Sequence, residues 1–118
     1  MLMWKKELWL IDHGASFYFH HSWDNWKQQS ERPFVQVKDH VLLPWASALE
    51  EVNAIFLEQL TPEKIKTIVS FIPAEWLVFE TLPDPEANRK VYEEFLLNRL
   101  AHASIFLNEA QHARKAII

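Results

Sequence analysis

The sequence has a single glycine, Gly14, and no cysteine among its 118 residues. Loops that cradle phosphates with backbone amides usually need several glycines, so the chain carries no P-loop, dinucleotide fingerprint or glycine-rich nucleotide lid. The lack of cysteine excludes disulfides and thiolate metal sites. It is also compatible with a reducing cytoplasm, which is the predicted location of the protein.

Clustered positive charge and long apolar runs are also missing. The 12 Lys and Arg residues are scattered and the net charge is −4, which gives nucleic-acid binding little support. No apolar run approaches the roughly 20 residues that a membrane span needs, and the N-terminus lacks the apolar core of a signal peptide. We therefore expect neither a nucleic acid nor a membrane as a partner.

Apolar and aromatic residues, in contrast, are abundant. They reach 49% and 14% of the chain, with six Trp and eight Phe. The length predicts a single domain over residues 1–118 with a packed core. The aromatics exceed what a small helical domain needs, so some of them are expected on a surface that meets another domain or chain. Packing is nevertheless the predicted role of most of the tryptophans.

The order of apolar runs predicts an α+β fold that is mostly α. Within residues 1–21, the runs at 1–4 and 8–11 predict a β-hairpin with a polar turn at 5–7. A third extended stretch, 15–20, places its two phenylalanines on one face. Residues 22–45 are predicted as a loop with room for one helical turn. Residues 46–118 are predicted to be helical, with four or five helices after the small N-terminal sheet.

Three helix starts carry recognisable capping chemistry. Ser47 and Glu50 have the spacing of a capping box. Thr61 and Asp84 each precede a proline, which suits the first helical position. Residues 101–104 either continue the third of these helices or interrupt it. The predicted core positions of the second and third helices are Ile65, Ile68, Val69, Ile72, Val91, Tyr92, Phe95, Leu96 and Leu100.

An aspartate follows the second apolar run directly. The strand predicted at 8–11 would hold Asp12 rigidly, and Gly14 would let the chain turn away without covering the carboxylate oxygens. Mg²⁺ prefers oxygen ligands of this kind, and kinases present a metal-binding aspartate in an Asp-x-Gly segment. The triplet alone is also frequent in turns, where the aspartate bonds nearby amides, and that interpretation stays open.

The residues around Asp12 and four later segments resemble a bacterial family of HipA-like kinases, distant relatives of the phosphoinositide kinases. The resemblance covers nearly the whole chain, and its segments occur in the family's order. The matching segments are LWLIDHGA (8–15) with FYFHH (17–21), then HVLLP (40–44), LTPE (60–63), IPAEWL (72–77) and YEEFLLNRL (92–100).

The resemblance implies a role for each residue of the triplet. Asp12 would bind the catalytic magnesium, and Gly14 would provide the turn after it. His13 stands where most kinases have phenylalanine, and with Gly14 it would border the cofactor. The resemblance further implies that Mg²⁺ and ATP are the cofactors of an intact family member. It also implies that this chain is part of a protein-kinase-like C-lobe.

A kinase of this kind also needs a nucleotide-binding lobe, a phosphate-anchoring lysine and a catalytic loop, all upstream of the Asp-x-Gly segment. Residues 1–11 supply none of them. We therefore predict that this chain is inactive alone. Its expected partner is a missing kinase lobe or a partner chain. The alternative is a non-catalytic helical module for interaction or oligomerisation, which would self-associate through exposed aromatics.

Two further groups of residues have less support as functional sites. His13, His20 and His21 could form an imidazole–carboxylate metal site with Asp12. Strand alternation would place His20 and His21 on opposite faces, which disfavours a shared zinc ion. The adjacent glutamates at 50–51 and 93–94 point in different directions on a helix and are predicted to be solvated.

Overall fold

The computed structural model describes residues 2–10, 17, 19 and 23–118. It begins with an antiparallel hairpin of β1 (Leu2–Trp4) and β2 (Glu7–Trp9), with Leu2 opposite Trp9. The predicted hairpin is confirmed, but its turn has two residues, Lys5 and Lys6, rather than three. Both have positive φ, 50° and 66°, as a two-residue type I′ turn requires.

The rest of the described chain is mostly helical, as predicted. The region predicted as a loop, 22–45, contains more regular structure than expected, since the helix α1 (Trp26–Ser30) and two 3₁₀ helices, Val35–Asp39 and Leu43–Trp45, lie there. A third 3₁₀ helix spans Ala74–Leu77. The α-helices in the described ranges are α1 (Trp26–Ser30), α2 (Leu49–Gln59), α3 (Pro62–Ser70), α4 (Pro85–Ala101) and α5 (Ala103–Lys115).

The starts of α3 and α4 follow the predicted capping chemistry. The Thr61 side chain accepts a hydrogen bond from the Lys64 N–H at 3.3 Å. Asp84 Oδ1 accepts bonds from the Glu86 and Ala87 N–H groups at 3.0 and 3.2 Å. Each cap satisfies donors that have no partner within their own helix.

The predicted capping box at Ser47 and Glu50 is wrong. α2 begins at Leu49, its N-cap is Ala48, and no side chain caps it. The preceding 3₁₀ helix explains the shift, because its bonds continue past its end. The Ala46 N–H donates to Leu43 O and the Ser47 N–H donates to Trp45 O. The chain therefore enters α2 one residue later than the sequence pattern suggests.

The core lies on α4, which packs against α1, α3 and the 3₁₀ helix at Ala74–Leu77. A smaller layer forms where α5 packs against α2 and the other two 3₁₀ helices. Between the layers the long helix is interrupted at His102, so residues 101–104 break α4 rather than continue it. The buried cluster consists of Phe19, Ile65, Val69, Leu77, Tyr92 and Phe95.

Two expectations about burial are wrong. Ile68 was predicted to be in the core but is 55% exposed, because α3 turns only Ile65 and Val69 inward. Most tryptophans were predicted to pack, yet four of the six, Trp4, Trp9, Trp45 and Trp76, are at least half exposed. The separate prediction of surplus aromatics on a surface agrees with this exposure.

Candidate functional site

The predicted site residues Asp12, His13 and Gly14 lie outside the described residues, and so do His20 and His21. The structure describes the chain up to Leu10 on one side of this segment. On the other side it describes the anchor residues Phe17 and Phe19. The candidate site is therefore defined by these two flanks.

The downstream flank is anchored in an aromatic cluster. The Phe17 ring lies 5.7 Å from the Tyr92 ring and 5.9 Å from the Phe95 ring, both edge-on. Phe19 is fully buried, with its ring 4.6 Å from that of Phe95. Edge-on aromatic pairs at these distances are favourable beyond the area that they bury. The predicted extended stretch 15–20 lies largely outside the described residues, and Phe19 has a 3₁₀ rather than an extended conformation. Both phenylalanines nevertheless contact Phe95 of α4.

The backbone after this anchor is also fixed. The Trp23 N–H donates to Phe19 O at 2.7 Å. The Trp23 ring packs 5.0 Å from Phe79 and 5.6 Å from Tyr92. Phe79 in turn pairs with Leu82 through a pair of backbone hydrogen bonds. The chain leaving the Asp12 segment is thus tied to α4 and to the loop before it.

The upstream flank is the hairpin, whose described apolar side chains are exposed, whereas those of the downstream anchor are buried or half-buried. Trp4, Leu8, Trp9 and Leu10 are 50–64% exposed. An isolated two-stranded hairpin is marginally stable in water and needs a further layer on its apolar face. The segment that contains Asp12 is therefore bordered by a buried aromatic anchor and by an uncovered apolar hairpin.

Arg99 is the charged group that contacts the anchor cluster, and its position was not predicted. Its guanidinium carbon lies 3.9 Å from the Phe106 ring centroid and 5.7 Å from that of Phe95. Desolvation by partial burial lowers the pKa of this guanidinium from its ordinary value, although arginine stays protonated. No described carboxylate forms an ion pair with it. The i to i+4 spacing of Phe95 and Arg99 on α4 is the sequence signal for this contact.

The remaining candidates have ordinary structural roles. Glu93 and Glu94 pair with Lys66 and Lys90 at 3.8 Å, and Glu50 accepts a hydrogen bond from Gln111 at 2.8 Å. Glu50, Glu51 and Glu94 are exposed, as predicted, whereas Glu93 is half-buried.

Metal ligands were assessed over the described ranges alone. There, no group of three or more His, Asp or Glu side chains is placed to hold an ion. Asp12 lies outside those ranges, and its carboxylate is by its chemistry a suitable donor for Mg²⁺. A magnesium site at Asp12 would need its other ligands from phosphates, water or another part of the protein.

Comparisons with known protein families, curated proteins and solved structures give no match for this chain. Over the described residues, no helix has both the length and the apolar character that a membrane crossing requires.

Proposed function

We propose that this chain is the C-terminal helical part of a HipA-like phosphotransferase. In this proposal Asp12 helps to hold the magnesium of a bound Mg–ATP complex. A preceding lobe or a partner chain supplies the nucleotide pocket and the catalytic loop. The proposal includes the finer fold assignment, a portion of a protein-kinase-like C-lobe.

The observation that carries the proposal is the uncovered hairpin next to Asp12. Its exposed side chains Trp4 and Trp9 lie on one face of the hairpin, and the exposed Leu8 lies on the other. Large apolar side chains left in water in this way favour an interaction site. The hairpin ends at Trp9, three residues before Asp12. A lobe that packed on the hairpin would therefore lie beside the proposed magnesium ligand. The ordered family-like segments support the same assignment.

The buried anchor suits the proposed role of Asp12. A metal ligand has to be held in place by its surroundings if it is to orient a phosphate. Phe17 and Phe19 pack into the core on α4, which fixes the chain five residues beyond Asp12. The bound magnesium would offset phosphate charge, while this chain would contribute the orientation of one ligand.

Phosphotransfer by the native gene product tests the proposal. The protein is purified from its own source, its mass is measured, and transfer of the γ-phosphate of ATP is assayed with and without Mg²⁺. We expect Mg-dependent transfer from the native product, taken with any partner chain that co-purifies with it. Asp12→Asn should lower that transfer about 100-fold or more, because it removes a charged ligand of the metal. The matched control is Asp39→Asn, at an exposed aspartate in the 3₁₀ helix Val35–Asp39.

Two results would overturn the proposal. One is Mg-dependent transfer that Asp12→Asn leaves within twofold of the Asp39→Asn control. The other is a native product that, together with any partner chain that co-purifies with it, binds neither Mg²⁺ nor ATP in calorimetric titrations. Circular dichroism of each variant separates a lost ligand from a lost fold.

A second candidate is the non-catalytic interaction module. The specific observation in its favour is that apolar exposure is not confined to the hairpin. Trp45, Phe71 and Trp76 are 71–76% exposed on three other segments of the chain. A native product without ATP-dependent activity, but with stable self-association, would favour this module over the phosphotransferase.

A further inference from the structure

Helix α2 presents an apolar stripe to solvent. Val52, Ile55 and Phe56 are 43–52% exposed, and their i, i+3, i+4 spacing places them on one side of the helix. No residue of α2 is buried. An amphipathic helix of a globular domain normally turns such a stripe toward the core. Here the stripe remains uncovered along little more than one turn of helix.

The helix is nevertheless held in place. It packs against α5, and its less exposed residues Leu49 and Asn53 lie about 40° apart on one side. The hydrogen bond from Gln111 Nε2 to Glu50 Oε1 at 2.8 Å ties its first turn to α5. Val52 and Ile55 therefore lie beside the contact with α5, while Phe56, about 20° from Leu49, lies at its edge. A docked segment could reach the stripe without displacing α5.

Two carboxylates border the stripe. Glu51 and Glu58 lie four residues before and three residues after Ile55, so they flank it on the solvent side. Both are exposed, and neither forms an ion pair with a described residue. Arg114 and Lys115 of α5 line the same cavity as Glu51, at the start of the helix. The uncompensated negative charge is therefore strongest near Glu58.

These charges decide which occupant fits. If two copies of α2 packed antiparallel through their stripes, Glu51 of each copy would face Glu58 of the other. The facing carboxylates would repel each other. A helix with Lys or Arg along one edge would pair with the same carboxylates. Apolar residues at i, i+3 and i+4 of that helix would match the stripe, as in other helix-in-groove complexes.

We propose that the α2 stripe docks an amphipathic helix of another protein, with a basic edge that faces Glu58. This surface is separate in the chain from the hairpin and from Asp12. The proposal therefore does not depend on the phosphotransferase assignment, and either can fail alone.

A site-specific crosslink in the native product identifies the occupant. A photoreactive amino acid replaces Gln59, an exposed residue next to the stripe, and the crosslinked peptide is mapped by mass spectrometry. The control position is the exposed residue Glu80, in the loop before α4. We expect, from Gln59 alone, a peptide of another protein with helical apolar spacing and flanking Lys or Arg.

The captured segment is then synthesised and its affinity for the purified protein is measured. Ile55→Asp should weaken binding about tenfold or more, because a charge enters the apolar contact. Leu57→Asp is the matched control, since Leu57 is similarly exposed but lies on the opposite side of the helix. It should change the affinity less than twofold. Glu58→Lys should weaken the binding of the basic peptide. The same variant should bind a peptide in which the Lys and Arg residues are replaced by Glu.

Several results would overturn the proposal. These are a crosslink to a second copy of the chain, to a segment of the same polypeptide, or to an acidic or non-helical segment. The absence of any crosslink from Gln59, or equal effects of Ile55→Asp and Leu57→Asp in variants that stay folded, would overturn it as well.

Discussion

Asn88 joins two parts of the fold through its side-chain amide. It is 4% exposed, and its Nδ2 donates to Leu77 O and to Leu82 O, both at 2.7 Å. These two bonds fix the loop before α4 onto the helix itself. A buried carbonyl that loses its donor costs more than an exposed one, because water does not replace the bond.

Asn88→Ala should therefore destabilise the protein by about 2 kcal/mol or more, since it removes both bonds and leaves their acceptors buried. Urea unfolding measured by circular dichroism gives this difference. Asn108→Ala, the same change at an exposed position of α5, should stay within about 0.5 kcal/mol of the unsubstituted protein. Equal losses in the two variants would mean that the Asn88 bonds do not hold the loop.

Tyr92 connects residue-scale burial to pH. Desolvation by burial raises the pKa of its phenol above the ordinary value of 10.0. The folded protein therefore keeps the phenol neutral at pH values where the unfolded chain ionises it. The contribution of Tyr92 to the free energy of unfolding therefore keeps its full value below about pH 10. It decreases as the pH rises from there toward the folded-state pKa of Tyr92.

The free energy of unfolding should consequently fall as the pH rises above about 10, and fall less steeply in Tyr92→Phe. Phenylalanine keeps the ring contacts with Phe17 and Phe19 but has no proton to release. Urea titrations across that range give the slope for both proteins. Parallel slopes would show that Tyr92 does not contribute to the alkaline loss of stability.

At the scale of elements, α4 is the central helix of the larger of the two layers. It contacts α1, α3 and the 3₁₀ helix Ala74–Leu77. Its Arg89 side chain donates to Val69 O at 2.9 Å and Ile72 O at 2.8 Å, which satisfies carbonyls at the end of α3. The start of α4 depends on the Asp84 cap, because the free N–H groups of the first turn have no partners in the helix.

Asp84→Ala should destabilise the protein by about 1 kcal/mol, the usual effect of losing an N-cap side chain. Thermal unfolding followed by the helical signal checks this value. The control is Asp39→Ala, at an exposed aspartate in the last turn of its 3₁₀ helix, which should have little effect. Equal midpoints of thermal unfolding in Asp84→Ala and Asp39→Ala would mean that the Asp84 cap does not stabilise the protein.

At the scale of the whole molecule, the fold is extended and incompletely covered. The Cα radius of gyration is 16.2 Å, whereas a compact domain of this length has about 13.5 Å. The molecule measures 48 × 34 × 27 Å. Exposed apolar side chains on the hairpin, α2, α3 and the 3₁₀ turns account for surface that a more compact fold would bury.

The exposed rings of Trp45, Phe71 and Trp76 should cause the chain to self-associate at high concentration. Sedimentation of the chain should give a weight-average mass above the monomer's 14.0 kDa. Replacing Trp45, Phe71 and Trp76 by Ser should return it toward that value, because most of each ring contacts water. The control replaces Gln28, Gln36 and Gln59, which are exposed and uncharged. A monomeric chain at every concentration would contradict the expected association.

Local chemistry was sufficient for several features. The hairpin, the mostly helical remainder and the starts of α3 and α4 follow from patterns within a few residues. A cap such as Thr61 or Asp84 needs only the backbone of its own first turn. Asp12 stays a prediction, since it lies outside the described residues.

The tertiary structure alone decided which faces are covered. Ile68 lies at a helical spacing from Ile65 that would allow both to be buried, as Val69 is. Packing against α4 alone determines that Ile65 and Val69 are buried and Ile68 is not. The Asn88 and Arg89 bonds span 6 to 20 residues of sequence, and no local pattern specifies their acceptors. The exposed hairpin and α2 stripe arise in the same way. Amphipathic spacing shows that a face can be buried, but whether it is buried depends on which other elements reach it.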